Sequence, residues 1–255
     1  MKRERRATFD RAAGLYERAR PGYPDELIDD VVALAELRPR SRVVEIGCGT
    51  GKATLPLAGR GLRMTCVELG ASLAAIAQRK LALFPGVQVV NADFETWRPD
   101  RADYDAVVAF TAFHWIPPEL RYVKSAAVLR EGGALAVAMV HHVLPENGDP
   151  FFLEVQADYD AVGKDGDPPG LPEAVEGFGG EMEASGLFRV AAERRYRWEM
   201  EYTADAYVDV LGTYSDHLMQ DEEARERLFD LIRARIGDRT VRKSYLVTLD
   251  VAVRT

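Results

Sequence analysis

Apolar residues in the first 140 positions fall into two kinds of pattern. Residues 42–46, 63–67, 87–90, 104–110 and 134–140 are short, nearly continuous apolar runs. Such runs predict strands buried on both faces. Between them the apolar positions recur at helical spacing. Over 25–37, Leu27, Ile28, Val31, Val32 and Leu34 form one stripe behind Asp25 as N-cap. Further helices are expected over 51–59, bent at Pro56, over 71–83 (Leu73, Ile76, Ala77, Leu81) and over 118–130, with Leu120, Val123, Ala127 and Val128 facing inward. Strand and helix in alternation predict a parallel sheet with helices on both faces. The second half reads differently. Residues 163–180 are rich in Gly and Pro and predict a loop rather than an element. Residues 189–201 and 245–253 alternate as strands, and helices are expected over 204–218 and 221–236.

Composition narrows the partners. The chain has 255 residues and a net charge of −8, which disfavours a broad nucleic-acid footprint and suits a small-molecule ligand. No run of 18 apolar residues marks a transmembrane helix, and the basic start Met1-Lys2-Arg3 lacks the apolar stretch of a signal peptide. Cys48 and Cys66 fit neither a disulfide framework nor a metal spacing. A cytoplasmic protein is the expectation.

The first predicted strand runs into Glu45-Ile46-Gly47-Cys48-Gly49-Thr50-Gly51-Lys52. Alternating glycines at a strand end let a ligand approach the backbone without a Cβ in the way. A phosphate loop needs a glycine five residues before Gly51 and a hydroxyl after Lys52; Ile46 and Ala53 stand there. A dinucleotide fingerprint needs its third glycine where Lys52 stands. The second strand ends at Glu68, seventeen residues after Gly51, close to the spacing of an acid that accepts hydrogen bonds from ribose hydroxyls. The third is followed by Asn91-Ala92-Asp93-Phe94-Glu95, either a plain turn or a place for an adenine amine and ring.

Glu45-x-Gly47-x-Gly49-x-Gly51 resembles motif I of the class I S-adenosylmethionine-dependent methyltransferases. The stretch Phe110-Thr111-Ala112-Phe113-His114-Trp115 is similar to the segment that lies beside the methyl group in small-molecule members. Phe9 to Pro24 looks like the opening helix of the trans-aconitate-methyltransferase-like subgroup. The resemblance covers residues 40–140 most strongly. It implies a Rossmann-like seven-stranded, mostly parallel α/β sheet with helices on both faces and an antiparallel last strand. One domain is expected over 1–255: cap helices in 1–38, the cofactor-binding core in 40–140, strand six with acceptor-side lid insertions in 141–240, and the final strand in 241–255. It further implies S-adenosylmethionine as cofactor, with Tyr16, Arg20, Glu45, Gly47, Cys48, Gly49, Thr50, Gly51, Glu68, Leu69, Asp93, Phe94, Phe110, Thr111 and Ala112 against it. In that setting Tyr16 and Arg20 reach the methionine carboxylate and Asp93 the adenine amine.

Methyl transfer from a sulfonium is an in-line displacement that needs alignment and a dry site more than acid–base groups. A base is required only where the acceptor keeps a proton. His114 is the candidate base or positioning residue, with Trp115 beside the acceptor. His141 and His142, expected just after strand five, are weaker candidates for substrate and catalysis; no carboxylate at ligand spacing makes them a metal site. Tyr196, Trp198, Tyr202, Tyr207 and Tyr214 read either as packing or as a roof over the substrate. The expected reaction is methyl transfer to a small-molecule acceptor. The alternatives are an NAD(P)-dependent oxidoreductase and a non-enzymatic adenosylmethionine-binding protein.

Overall fold

The computed structural model describes residues 10–164 and 166–255. Phe9 and the basic start of the chain lie outside them. Seven strands form one sheet: β1 (Arg42–Ile46), β2 (Arg63–Glu68), β3 (Val87–Asn91), β4 (Tyr104–Phe110), β5 (Leu129–Val143), β6 (Phe188–Tyr202) and β7 (Val241–Arg254). Their order is β3-β2-β1-β4-β5-β7-β6, and β7 runs antiparallel to both its neighbours. The pairs from β3 to β5 are parallel. The order reverses between β1 and β4, so the C-terminal tips of those strands border the crevice where this topology places ligands.

Helices Asp25–Leu34, Thr54–Gly59 and Ala71–Lys80 cover one face through Leu27, Ile28, Leu57 and Ala77. Pro118–Val128 and Gly179–Ala184 cover the other. Beyond the core, β5, β6 and β7 extend into a second apolar cluster under the short helices Phe151–Glu154 and Gln156–Ala161 and the longer Ala204–Leu211 and Glu222–Ile236. Among the described residues no helix is long and apolar enough to cross a membrane.

The strands match the apolar runs, and the differences have local causes. The helix after β1 starts only at Thr54, which puts Pro56 in its first turn. An amide there has no intrahelical acceptor, so the proline costs no bond and does not bend the helix. The Pro118–Val128 helix is rotated from the expected stripe: Leu120, Val123 and Ala127 are exposed, while Arg121, Tyr122, Ser125 and Ala126 are buried. Tyr122 packs edge-on to Phe113, its hydroxyl donates to Glu181, and Ser125 donates to the Arg121 carbonyl at 2.6 Å. Partnered polar tips allow these longer side chains inside. Strand β5 begins at Leu129 rather than 134, through a bulge between the Tyr104–Leu129 and Ala106–Ala134 pairs. It also runs on past 140, so His141 and His142 lie within it, paired to Leu246 and Tyr245. The helix expected over 204–218 breaks at Gly212–Tyr214 before Ser215–Leu218. The glycine-rich stretch contains a turn of 3-10 helix at Pro172–Ala174 and the start of Gly179–Ala184.

Tyr196 joins sheet and helix layer across the whole chain. Its hydroxyl donates to Asp30 Oδ2 at 2.5 Å, and its ring is buried in the core. Tyr196→Phe removes the donor but not the carboxylate. Unfolding in urea is expected to show a loss of about 1–2 kcal/mol with an unchanged m-value.

Candidate functional site

The tips of β1, β2 and β4 surround a cavity of about 330 Å³. The glycine loop forms its floor. Gly47, Gly49 and Gly51 have φ of 64°, 57° and 81°, which L side chains rarely adopt. A Cβ on Gly47 would lie 2.7 Å from the Ala112 Cβ, so the loop passes too close to the tip of β4 for any side chain. Gly49 faces Tyr16, and a Cβ there would project between loop and ring, 3.8 Å from Cε1. Gly51 turns back toward Leu81 and Ala77, so its role is packing beneath the loop. Thr111 has φ 54°, a strained value for a β-branched residue, at the tip of β4. Its position is fixed by the Ala138 carbonyl, which accepts its N–H at 2.7 Å, and by the Tyr23 hydroxyl 3.2 Å from Oγ1.

Glu68 joins the loop to the next strand. One carboxylate oxygen accepts the Gly49 N–H and the other the Gly70 N–H, both at 2.8 Å. The side chain is 7 % exposed and lines the cavity.

The Ala13–Ala19 helix covers the cavity with Tyr16 and, just beyond its end, Arg20. Arg20 Nε donates to Thr213 Oγ1 at 2.6 Å, and its guanidinium lies 4.0 Å over the Tyr214 ring. Lys52 explains why no glycine is needed at its position: Nζ donates to the Glu17 carbonyl at 2.8 Å and strengthens the hold on this helix. Lys80 adds an ion pair to Glu17 at 2.6 Å. Asp10 receives the N–H groups of Ser72 and Leu73, capping from a distant part of the chain a helix that has no cap of its own.

The expected site residues divide sharply. Tyr16, Arg20, Gly47, Gly49, Glu68, Leu69, Phe94, Phe110, Thr111, Ala112, His114 and Trp115 all line the cavity. Cys48, Thr50 and Gly51 are buried in the loop and do not. Asp93 is also absent from the lining, although its neighbours Ala92 and Phe94 are present; its Oδ1 accepts the Glu95 N–H at 3.0 Å in a turn. His114 and Trp115 lie on one 3-10 turn with ring centroids 4.6 Å apart. His141 and His142 stand away from this cavity. Tyr196 and Trp198 are packing residues, the latter stacked on Tyr245 at 5.2 Å. Tyr214 is different: with Ser215 and Asp216 it forms the far wall of the cavity. Its place at the break between two helices is not visible as a period in the sequence. Among the described residues no three His, Cys, Asp or Glu side chains group to hold a metal ion.

Glu45 lies under the loop rather than in the cavity. It is 1 % exposed, accepts the Thr54 hydroxyl at 2.7 Å and lies 3.8 Å from the Cys66 sulfur. It therefore anchors the helix after the loop to β1. Burial dominates and pushes its carboxyl up to about 7, against the Thr54 and Cys66 hydrogen bonds.

Residues 43–133 match the family model of a methyltransferase domain. An uncharacterized methyltransferase of Mycobacterium tuberculosis (strain ATCC 25618 / H37Rv) is 28% identical over 236 residues, 91% of this chain and 86% of that protein. A trans-aconitate 2-methyltransferase of Rhodopseudomonas palustris (strain BisB18) is 33% identical over 136 residues, 52% of this chain and 47% of the relative. Among solved structures, a SAM-dependent methyltransferase from Thiobacillus denitrificans in complex with S-adenosyl-L-homocysteine shares the fold. Its TM-score is 0.55 at 16% identity, covering 94% of this chain and 96% of that one.

Burial of Glu45 makes the stability of the fold depend on pH. Between about 4.5 and about 7 the folded protein holds a proton that the unfolded chain releases, so stability falls as pH rises through that window and is level above it. Glu45→Gln removes this dependence. Urea unfolding should find the variant more stable than wild type at pH 8, by up to about 3 kcal/mol, with little difference at pH 5. A difference that does not vary with pH would refute the assignment.

Proposed function

We propose that this S-adenosylmethionine-dependent methyltransferase methylates a small-molecule acceptor. The observation that carries the reading is the cavity that brings the glycine loop, Glu68, the covering helix and the His114–Trp115 turn together at the strand tips. Its volume is within the range of small-molecule sites and its mouth is narrowed by one helix. The residues suit the cofactor: an acid in the cavity lining at the tip of β2, a backbone turn with no Cβ facing the cavity at Gly49, and a guanidinium with no carboxylate partner among the described residues. The nicotinamide and sensor alternatives gain no support from the relatives.

When bound, the cofactor supplies a methyl group on a sulfonium, already activated for displacement. In this reading Glu68, at the tip of β2, accepts the ribose hydroxyls. Phe94 covers the adenine ring beside β3, and Asp93 is assigned its amine. Gly47 and Gly49 let the backbone run alongside the methionine portion. Tyr16 and Arg20 hold the carboxylate end, and the helix that carries them excludes water. His114 and Trp115 position the acceptor, and His114 takes its proton where one must leave. Residues 141–240 supply the walls on the acceptor side, and the whole chain acts as one domain with its covering helix at the N-terminal end.

Adenosylmethionine and adenosylhomocysteine should each raise the melting temperature, and NAD should not. A ligand at a hundred times its Kd stabilises by about 2.7 kcal/mol, well above the noise of a thermal shift. Glu68→Gln keeps the shape of the side chain but halves its acceptor capacity, and should weaken adenosylhomocysteine about tenfold or more. Stabilisation by NAD alone would overturn the reading. For His114, methyl transfer by His114→Ala measured across pH should lose the fall in rate toward low pH that protonation of a base produces in the wild type; an unchanged profile would leave His114 a positioning residue only.

A further inference from the structure

Behind Tyr214 lies a second chamber of about 170 Å³. Tyr214 and Asp216 line both chambers, so they form the partition between them. Phe152, Tyr159 and Tyr207 give the second chamber aromatic walls. On its sheet side, β5 and β7 present His142 opposite Tyr245, and Lys243 two residues along the same face.

Lys243 is the unusual group. It is 1 % exposed, yet no carboxylate pairs with it among the described residues. Its Nζ donates to the Tyr214 hydroxyl at 2.9 Å, and the rings of Tyr207, Tyr214 and Tyr245 lie 5.0–5.5 Å away. The carboxylates in reach are engaged elsewhere. Asp216 holds Lys164 at 3.0 Å and His217 at 3.2 Å, and Asp158 holds Arg235. Asp167 is exposed at the rim. A buried ammonium without a counter-charge is costly, and a bound anion removes that cost. Burial pulls the Lys243 ammonium below its ordinary value; the Tyr214 hydroxyl opposes that fall and the Arg20 charge adds to it. Beside it, His142 Nε2 is buried without a hydrogen-bond partner. Burial and then Lys243 push this imidazole down to about 2, so it is neutral and can present an N–H. Gln156 Oε1 is also buried without a partner.

We propose that this chamber is the acceptor subsite and that it takes a small carboxylic acid with an apolar body. The carboxylate lies against Lys243 Nζ and His142 Nε2–H, and the body fills the space between Phe152, Tyr159 and Tyr207. The opposite end of the acceptor passes Tyr214 and Asp216 into the larger cavity. One ammonium beside a neutral imidazole balances a single negative charge, which favours a carboxylate over a phosphate dianion. The inference rests on the reading of the larger cavity as the cofactor site. It gives the Tyr214 ring a purpose, since the ring separates two cations, Arg20 toward the cofactor and Lys243 toward the acceptor.

The test uses the full chain with saturating adenosylhomocysteine. Benzoate and phenylacetate are compared with benzamide, phenylacetamide and phenyl phosphate by thermal shift and calorimetry. The acids should stabilise the complex beyond adenosylhomocysteine alone, and the amides and phenyl phosphate should not. Lys243→Met, close in volume, should lose about tenfold or more in affinity for the acids while keeping its shift with adenosylhomocysteine. His142→Phe keeps the ring contact with Phe152, 4.6 Å between centroids, and should weaken the acids several-fold. Should Lys243→Met fail to fold, His142→Phe decides. Equal binding of acids and amides, preference for phenyl phosphate, no binding of either acid, or full affinity in the variants would overturn the acceptor assignment alone. Absence of any shift with adenosylhomocysteine would bring down the cofactor reading and this inference with it.

Discussion

The Glu68 carboxylate fixes the distance between two strand tips. Its two oxygens hold the amides of Gly49 and Gly70, so the glycine loop after β1 and the turn after β2 cannot move independently. Charge-assisted bonds of this kind are about twice as strong as neutral ones, and here they are buried. The loop conformation, the floor of the cavity and the start of the Ala71–Lys80 helix all depend on that one side chain. It lines the cavity as well, so the group that shapes the site also offers acceptors to a ligand.

The covering helix depends on charges spread across the first eighty residues. Glu17 collects Lys52 from the glycine loop and Lys80 from the helix after β2, while Asp10 caps that helix from outside. Exposed pairs of this kind add little stability singly. Together they determine where Tyr16 and Arg20 stand over the cavity. Lys52 is then both the residue that breaks a dinucleotide fingerprint and a direct tie between loop and cover.

Much of this was legible in the sequence, for a plain reason. A strand buried on both faces must be apolar throughout, so five strands of the first 140 residues declare themselves without knowledge of their neighbours. Glycines with positive φ at a strand end, followed by an acid one strand later, place the floor of the site. The inward face of the Pro118–Val128 helix was not legible, because Arg121 and Ser125 are buried only by virtue of partners, in Arg121's case one distant in sequence. The resemblance implied a ligand contact for Glu45, whereas its carboxylate accepts the Thr54 hydroxyl beneath the loop. His141 and His142 appeared to follow β5, because nothing in their own residues shows that β7 extends the strand past them.

The sequence by itself determined the strands, the turn that admits a ligand to the backbone, and the residue types that meet at the strand tips. These follow from local periodicity and backbone sterics. The tertiary structure decided which charges were left unpaired. Whether Lys243 meets a carboxylate, or Tyr214 faces a cavity, depends on where residues 150–218 fold back over β5 and β7. No local pattern encodes that return, because it is set by packing between segments up to about a hundred residues apart.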